Sequence, residues 1–123
     1  MGGHGLAAAK KLDNLVVLLD WNKRQLDGWT EDVYPMGDYV AKFEAFGFDT
    51  VKVPGNDVEA LAAALERTRK GEGKPFAIIM DTTKGAGIPE VADTVMNHSI
   101  PISDEQYDRW MAALGEELKG WEG

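Results

Sequence analysis

Three short apolar runs, each closed by polar or turn-forming residues, divide this chain. Leu15, Val16, Val17, Leu18 and Leu19 run without alternation into Asp20. A continuous run predicts a strand over residues 15–20 covered on both faces, which is the habit of parallel sheets. Residues 50–53 and 76–80 read as a second and a third strand. Between the first two, Tyr39, Val40, Phe43 and Phe46 fall on one helical face and Gly47 supplies a stop. The turn Pro54-Gly55-Asn56-Asp57 follows the second strand, with Asn56 or Asp57 able to cap the next helix. That helix carries Val58, Leu61, Ala62 and Leu65 at helical spacing, and Glu66, Arg67, Arg69 and Lys70 lead to Gly71. Residues 6–12, rich in Ala and Lys, read as the last turns of a helix whose beginning lies ahead of the chain. Ser103 and Gln106 form a capping-box pattern, after which Tyr107, Trp110, Met111, Leu114 and Leu118 make an apolar stripe. Helix, strand, helix, strand, helix, strand in that order predicts right-handed crossovers and an α/β fold. Its core is a three-stranded, mostly parallel sheet with flanking helices.

Two connections are long for a compact domain. Residues 21–38 are punctuated by Gly28, Pro35 and Gly37, and residues 84–102 link the third strand to the final helix. Loops of this length are commonly functional. The whole chain of 123 residues suits a single domain, with 44% hydrophobic and 28% charged residues as in ordinary globular proteins. A formal charge of −8 argues against sequence-independent nucleic-acid binding, which needs a basic face. Small anions bound locally, or protein, are the expected partners. There is no cysteine, so disulfides and thiolate metal sites are excluded, and a cytoplasmic location is expected. No apolar run is long enough to span a bilayer, and the first five residues contain no secretory core.

Asn22 falls just beyond the first strand, where open α/β sheets bind ligands. A side-chain amide oxygen beside backbone carbonyls is hard-oxygen ligation of the kind Mg²⁺ or Ca²⁺ takes, although an Asn after a strand is by itself only a turn residue. Directly after the third strand comes Asp81-Thr82-Thr83-Lys84-Gly85-Ala86-Gly87-Ile88. Its glycines let backbone N–H groups approach an anion and Lys84 adds charge, but a lone Gly-x-Gly is more often a turn. His98 is the histidine placed in a candidate site; alone, it reads as a solvent-facing loop residue. His4 lies in a Gly-rich start that suggests no catalysis. The acidic pairs Glu31-Asp32 and Glu116-Glu117 read as solvated charge. Trp21, Trp29 and Trp110 read as packing residues, and Trp121 belongs to the tail.

The string Asp20-Trp21-Asn22-Lys23-Arg24-Gln25-Leu26-Asp27-Gly28-Trp29-Thr30-Glu31-Asp32 resembles the second half of the thiamine-diphosphate motif of transketolases. In that family a strand is followed by Asp-Asn-x-x-x-Ile-Asp-Gly-x-Thr-Glu-Asp. The likeness continues in Asp81-Thr82-Thr83-Lys84-Gly85-Ala86-Gly87, similar to the family's Lys-Thr-x-Lys-Gly-x-Gly, with Asp81 where the family has its first lysine. It ends in His98-Ser99-Ile100-Pro101 and Asp104-Glu105-Gln106-Tyr107, where the family has His-Gly-x-Pro and Asp-Glu-Gln-Tyr. Ser99 stands in place of the family glycine. The resemblance runs over residues 7–114, spacing included.

The resemblance implies half of a thiamine-diphosphate-binding domain, occupying residues 1–123, in a transferase that moves a two-carbon ketol unit between sugar phosphates. It implies thiamine diphosphate and Mg²⁺ as cofactors. The Asn22 side chain and the Arg24 carbonyl would be metal ligands, and Lys84, Gly85 and Gly87 would lie at the diphosphate. His98 would reach both diphosphate and substrate. The family's Gly-Asp-Gly half of the motif, which brings an aspartate ligand, is expected ahead of Met1, and the aminopyrimidine domain with its activating glutamate is not in the sequence. Complementary transketolase-like chains, or a homo-oligomer, are therefore expected. Three readings compete: one part of a split enzyme, active with such chains; a remnant domain serving as a binding or assembly module; and a small flavodoxin-like anion binder.

Overall fold

The computed structural model describes residues 2–94 and 97–120; Trp121 lies outside the described residues. Residues up to Thr83 form one compact unit and those from Lys84 onward a second.

The first unit opens with helix α1 (Gly2–Ala9) and strand β1 (Val16–Trp21). A two-stranded antiparallel ribbon follows, β2 (Arg24–Gln25) with β3 (Gly28–Trp29), and then the short helix α2 (Thr30–Val33). The connection over residues 21–38, read as a long loop, thus holds small elements of its own. Helix α3 (Tyr39–Ala45) leads to β4 (Asp49–Pro54), and α4 (Val58–Thr68) leads to β5 (Phe76–Asp81). Asp38 caps α3 by accepting from Ala41 N at 3.1 Å, and Asp57 caps α4 by accepting from Ala60 N at 2.9 Å.

The sheet is parallel, in the order β1-β5-β4. The last strand in sequence is therefore the central one. Passing from β1 to β4 crosses the sheet one way and returning to β5 crosses it the other way, so connections of one hand put α3 and α4 on opposite faces. Alternate residues of β5 feed the two sides. Ala77 packs with Ala7 and Phe48, supported by Val17, Phe43 and Phe46. Phe76 and Ile78 pack with Ala64, supported by Val16, Val51 and Leu61.

Two expectations need correction. β1 is an edge strand with no fully buried residue, and Leu18 is 54% exposed. A continuous apolar run marks a strand that can be covered on both faces; here the α4 face is covered over β5 and β4 while Leu18 at the edge stays open. The first helix starts at Gly2 and ends at Ala9, ahead of residues 10–12. Its glycines are poor helix formers, but His4 meets the rings of Phe43, Phe46 and Phe48 at 5.2, 5.9 and 5.7 Å, and tertiary contact overrides propensity.

The second unit is a run of turns over residues 84–94 and helix α5 (Asp104–Lys119). Ser103 and Gln106 complete the capping box, each side chain bonding the other's backbone N–H. Trp110 is buried, whereas Tyr107, Met111 and Leu118 on the same stripe are exposed. Among the described residues no helix is long and apolar enough to cross a membrane.

Candidate functional site

The carboxyl ends of the three strands gather the polar groups of the first unit. Register sets Trp21, Asp81 and Pro54 side by side, so the residues just beyond them converge. Asn22 follows Trp21 and folds into an Asx turn: its Oδ1 accepts from Arg24 N at 2.9 Å, and its Nδ2 donates to Asp20 Oδ2 at 3.2 Å. Lys23 between them takes a left-handed conformation, φ 63°, uncommon for a residue with a side chain. Its carbonyl accepts from Thr30 N at 2.9 Å, which closes the base of the β2–β3 ribbon. Arg24 pairs with Trp29 in that ribbon, its guanidinium lying 3.1 Å from the centre of the indole. Asn22 and Arg24 are thus held in one small loop.

A cross-strand lattice anchors this loop. The Thr82 hydroxyl, one residue past β5, donates to Asp20 Oδ1. Gly55 N donates to the Asp81 carbonyl at 2.9 Å, and Asn56 Oδ1 accepts from Thr83 N at 2.7 Å. A Cβ on Gly55 would lie 2.3 Å from Thr82 Cγ2 and 2.8 Å from Met80 Cβ, so this approach requires a glycine. Asp81 itself takes Lys23 and Lys52, the latter at 2.9 Å, and these ammonium groups hold its carboxyl below the usual carboxylate range. Both also stand over the Trp21 ring, at 5.3 Å for Lys23 and 4.0 Å for Lys52. Beside them Trp21, Tyr39, Val40, Ile79 and Lys52 line a cavity of about 450 Å³. Burial, helped by the charge of Glu31, pushes the Tyr39 phenol up.

Lys84, Gly85, Gly87 and His98 belong to the second unit. Gly85 and Gly87 have φ of 78° and 96°, the left-handed region that favours glycine. A Cβ on Gly85 would press on Val91, 3.1 Å from Cγ1 and 3.2 Å from its carbonyl oxygen, whereas one on Gly87 would meet nothing within 4 Å. The backbone around Gly87 is therefore open to approach. Asn97 ties the loop by donating to the Val91 carbonyl at 3.0 Å and to the Lys84 carbonyl at 3.5 Å. His98 follows Asn97 in a turn and is exposed.

The donors offered by the Asn22 loop are hard oxygens, suited to a small divalent cation with a polyanionic ligand. Among the described residues no three His, Asp or Glu side chains cluster as a metal site. A cation there would rely on amide and carbonyl oxygens. Sequence reasoning named Asp20, Asp81 and Thr82 only as members of the motif strings and Asn56 only as a candidate helix cap, and gave Lys52 no part. Asp20 and Asp81 were visible as polar residues ending apolar runs; the pairing of Lys52 with Asp81 depends on strand register and left no local signal.

Known proteins agree with this architecture. The chain is 40% identical over 100 residues to one of the subunits of apulose-4-phosphate transketolase from Actinobacillus succinogenes, covering 80% of this chain and 36% of that protein. It is 30% identical over 110 residues to the 6-deoxy-6-sulfo-D-fructose transketolase subunit of Clostridium sp., covering 89% of this chain and 39% of that protein. The crystal structure of transketolase from Campylobacter jejuni superposes with a TM-score of 0.80 at 30% identity, over 91% of this chain and 17% of that one. The chain therefore spans well under half the length of these relatives. Residues 3–121 match the family described as transketolase, thiamine diphosphate binding domain. With fold, spacing and sequence in agreement, this chain belongs to the transketolase family of thiamine diphosphate-binding domains.

Proposed function

We propose that this chain serves as the diphosphate- and metal-side part of a thiamine diphosphate site in a transketolase-type enzyme moving a two-carbon ketol unit between sugar phosphates. The observation that carries the reading is the Asx turn at Asn22, which fixes an amide oxygen at the carboxyl end of β1. The cofactor, when bound, supplies the covalent chemistry of ketol transfer, and the protein supplies orientation and electrostatics. In this reading the Asn22 side chain and the Arg24 carbonyl hold Mg²⁺. The left-handed turn at Gly85 and the open backbone at Gly87, with the Lys84 charge, receive the diphosphate. His98, exposed in its turn, contacts diphosphate and substrate.

Complementary transketolase-like chains complete the site. Two relatives are themselves named as transketolase subunits, and this chain covers 39% and 36% of them. Mg²⁺ demands near-ideal octahedral oxygen coordination, and among the described residues no three His, Asp or Glu side chains gather to provide it. The chain alone is accordingly inactive. A coupled ketol-transfer assay tests this: activity is expected only when complementary chains are added, with His98→Ala then lowering kcat by ~10²-fold or more. Activity from the chain alone, or an unchanged kcat in His98→Ala, would count against the reading.

A further inference from the structure

Asp20 has no part in the site as proposed, yet its carboxylate accepts two hydrogen bonds, one from Asn22 after β1 and one from Thr82 after β5. Its Oδ2 accepts from Asn22 Nδ2 at 3.2 Å, and its Oδ1 accepts from the Thr82 hydroxyl beyond β5. The amide of an asparagine has an oxygen end and an NH₂ end of nearly equal shape, and only the oxygen can meet a cation. Which end faces outward depends on the neighbours. Here Arg24 N–H faces Oδ1 and the Asp20 carboxylate faces the NH₂ group. Reversing the amide would set donor against donor and carbonyl against carboxylate, and both bonds would be lost. In the observed orientation Oδ1 keeps a second lone pair beyond the one used by Arg24.

We propose that Asp20 is a positioning residue for the metal ligand Asn22, fixing the orientation of its amide so that Oδ1 is presented to the cation. The inference rests on the reading of Asn22 as a ligand. Asp20 does for an amide what outer carboxylates do for ligating histidines, where a hydrogen bond to the far end of the ligand sets which atom meets the metal. The bond from Thr82 keeps Asp20 from swinging away, so the orientation is inherited from the pairing of β1 with β5.

Two measurements test it. By NMR on the chain alone, Asp20→Asn, which keeps size and removes the charge, is expected to shift the Asn22 side-chain NH₂ signals. Unchanged signals would overturn the proposal. Calorimetry of thiamine diphosphate with Mg²⁺ on the chain joined with its complementary chains is expected to show about ten- to hundredfold weaker binding in Asp20→Asn. In an Asn22→Ala background the same change is expected to do nothing further, because its effect passes through Asn22. Equal weakening in both backgrounds, or none in either, would overturn the proposal. Asn22→Ala without effect would overturn the ligand reading and this inference together, whereas weakening by Asn22→Ala but not by Asp20→Asn would remove only Asp20. Asp20→Ala carries the same cycle if Asp20→Asn fails to fold.

Discussion

Charge at the carboxyl end of the sheet converges on Asp81, which the hydrogen bond from Lys23, then that from Lys52, holds below the ordinary carboxylate range. A carboxyl with a depressed folded value stabilises the fold above its unfolded value, about pH 4, and loses that contribution as pH falls through the folded one. The thermal midpoint is therefore expected to fall on acidification below about pH 4, and Asp81→Asn to show a shallower acid slope. Pairs as exposed as these are worth about 0.2–1 kcal/mol each and weaken in salt. Gly55 makes a steric prediction instead. Its missing Cβ would overlap Thr82 and Met80, so Gly55→Ala is expected to cost about 1–3 kcal/mol by denaturant unfolding. Asn22 was legible in the sequence as a turn residue after a strand, and the likeness of its string to the transketolase motif singled it out. The Asp20–Thr82 and Lys52–Asp81 bonds were not, since they join residues brought together only by strand register.

Edge strands set the behaviour of the elements. β4 carries Lys52 within it and ends at Pro54, both common guards against further pairing, whereas β1 presents Val16, Val17, Leu18 and Leu19 without either. Self-association through β1 is the expected consequence. Sedimentation at rising concentration should show oligomers that Leu18→Lys reduces, and a wild-type chain that stays monomeric throughout would contradict this. At α5, Ser103→Ala is expected to cost about 1 kcal/mol of stability through loss of its capping box. Periodicity and capping chemistry made α3, α4 and α5 legible. The failures were α1, where contact with three Phe rings outweighs glycine content, and the coverage of β1. An apolar run reports what a strand can bury, whereas its coverage depends on neighbours.

At the scale of the molecule, the chain belongs to a thiamine diphosphate-binding family while spanning 36–39% of two transketolase subunits it resembles. The parallel sheet was legible from the order of helices and strands; the central position of β5 was not, because sequence order does not fix strand order. The glycines at 85 and 87 were read as letting backbone N–H groups approach an anion or as a plain turn; their left-handed backbone was not foreseen. Everything proposed for the site turns on Asn22 holding a cation in a pocket that other chains complete. The direct measurement is calorimetry of thiamine diphosphate with Mg²⁺, on the chain alone and joined with complementary chains. Binding is expected to be weak or absent in the first case and restored in the second. There, Asn22→Ala should weaken it by at least about tenfold, and Asp108→Ala, at an exposed position of α5, should leave it unchanged. Tight Mg²⁺-dependent binding by the chain alone, or equal effects of the two substitutions, would contradict the account.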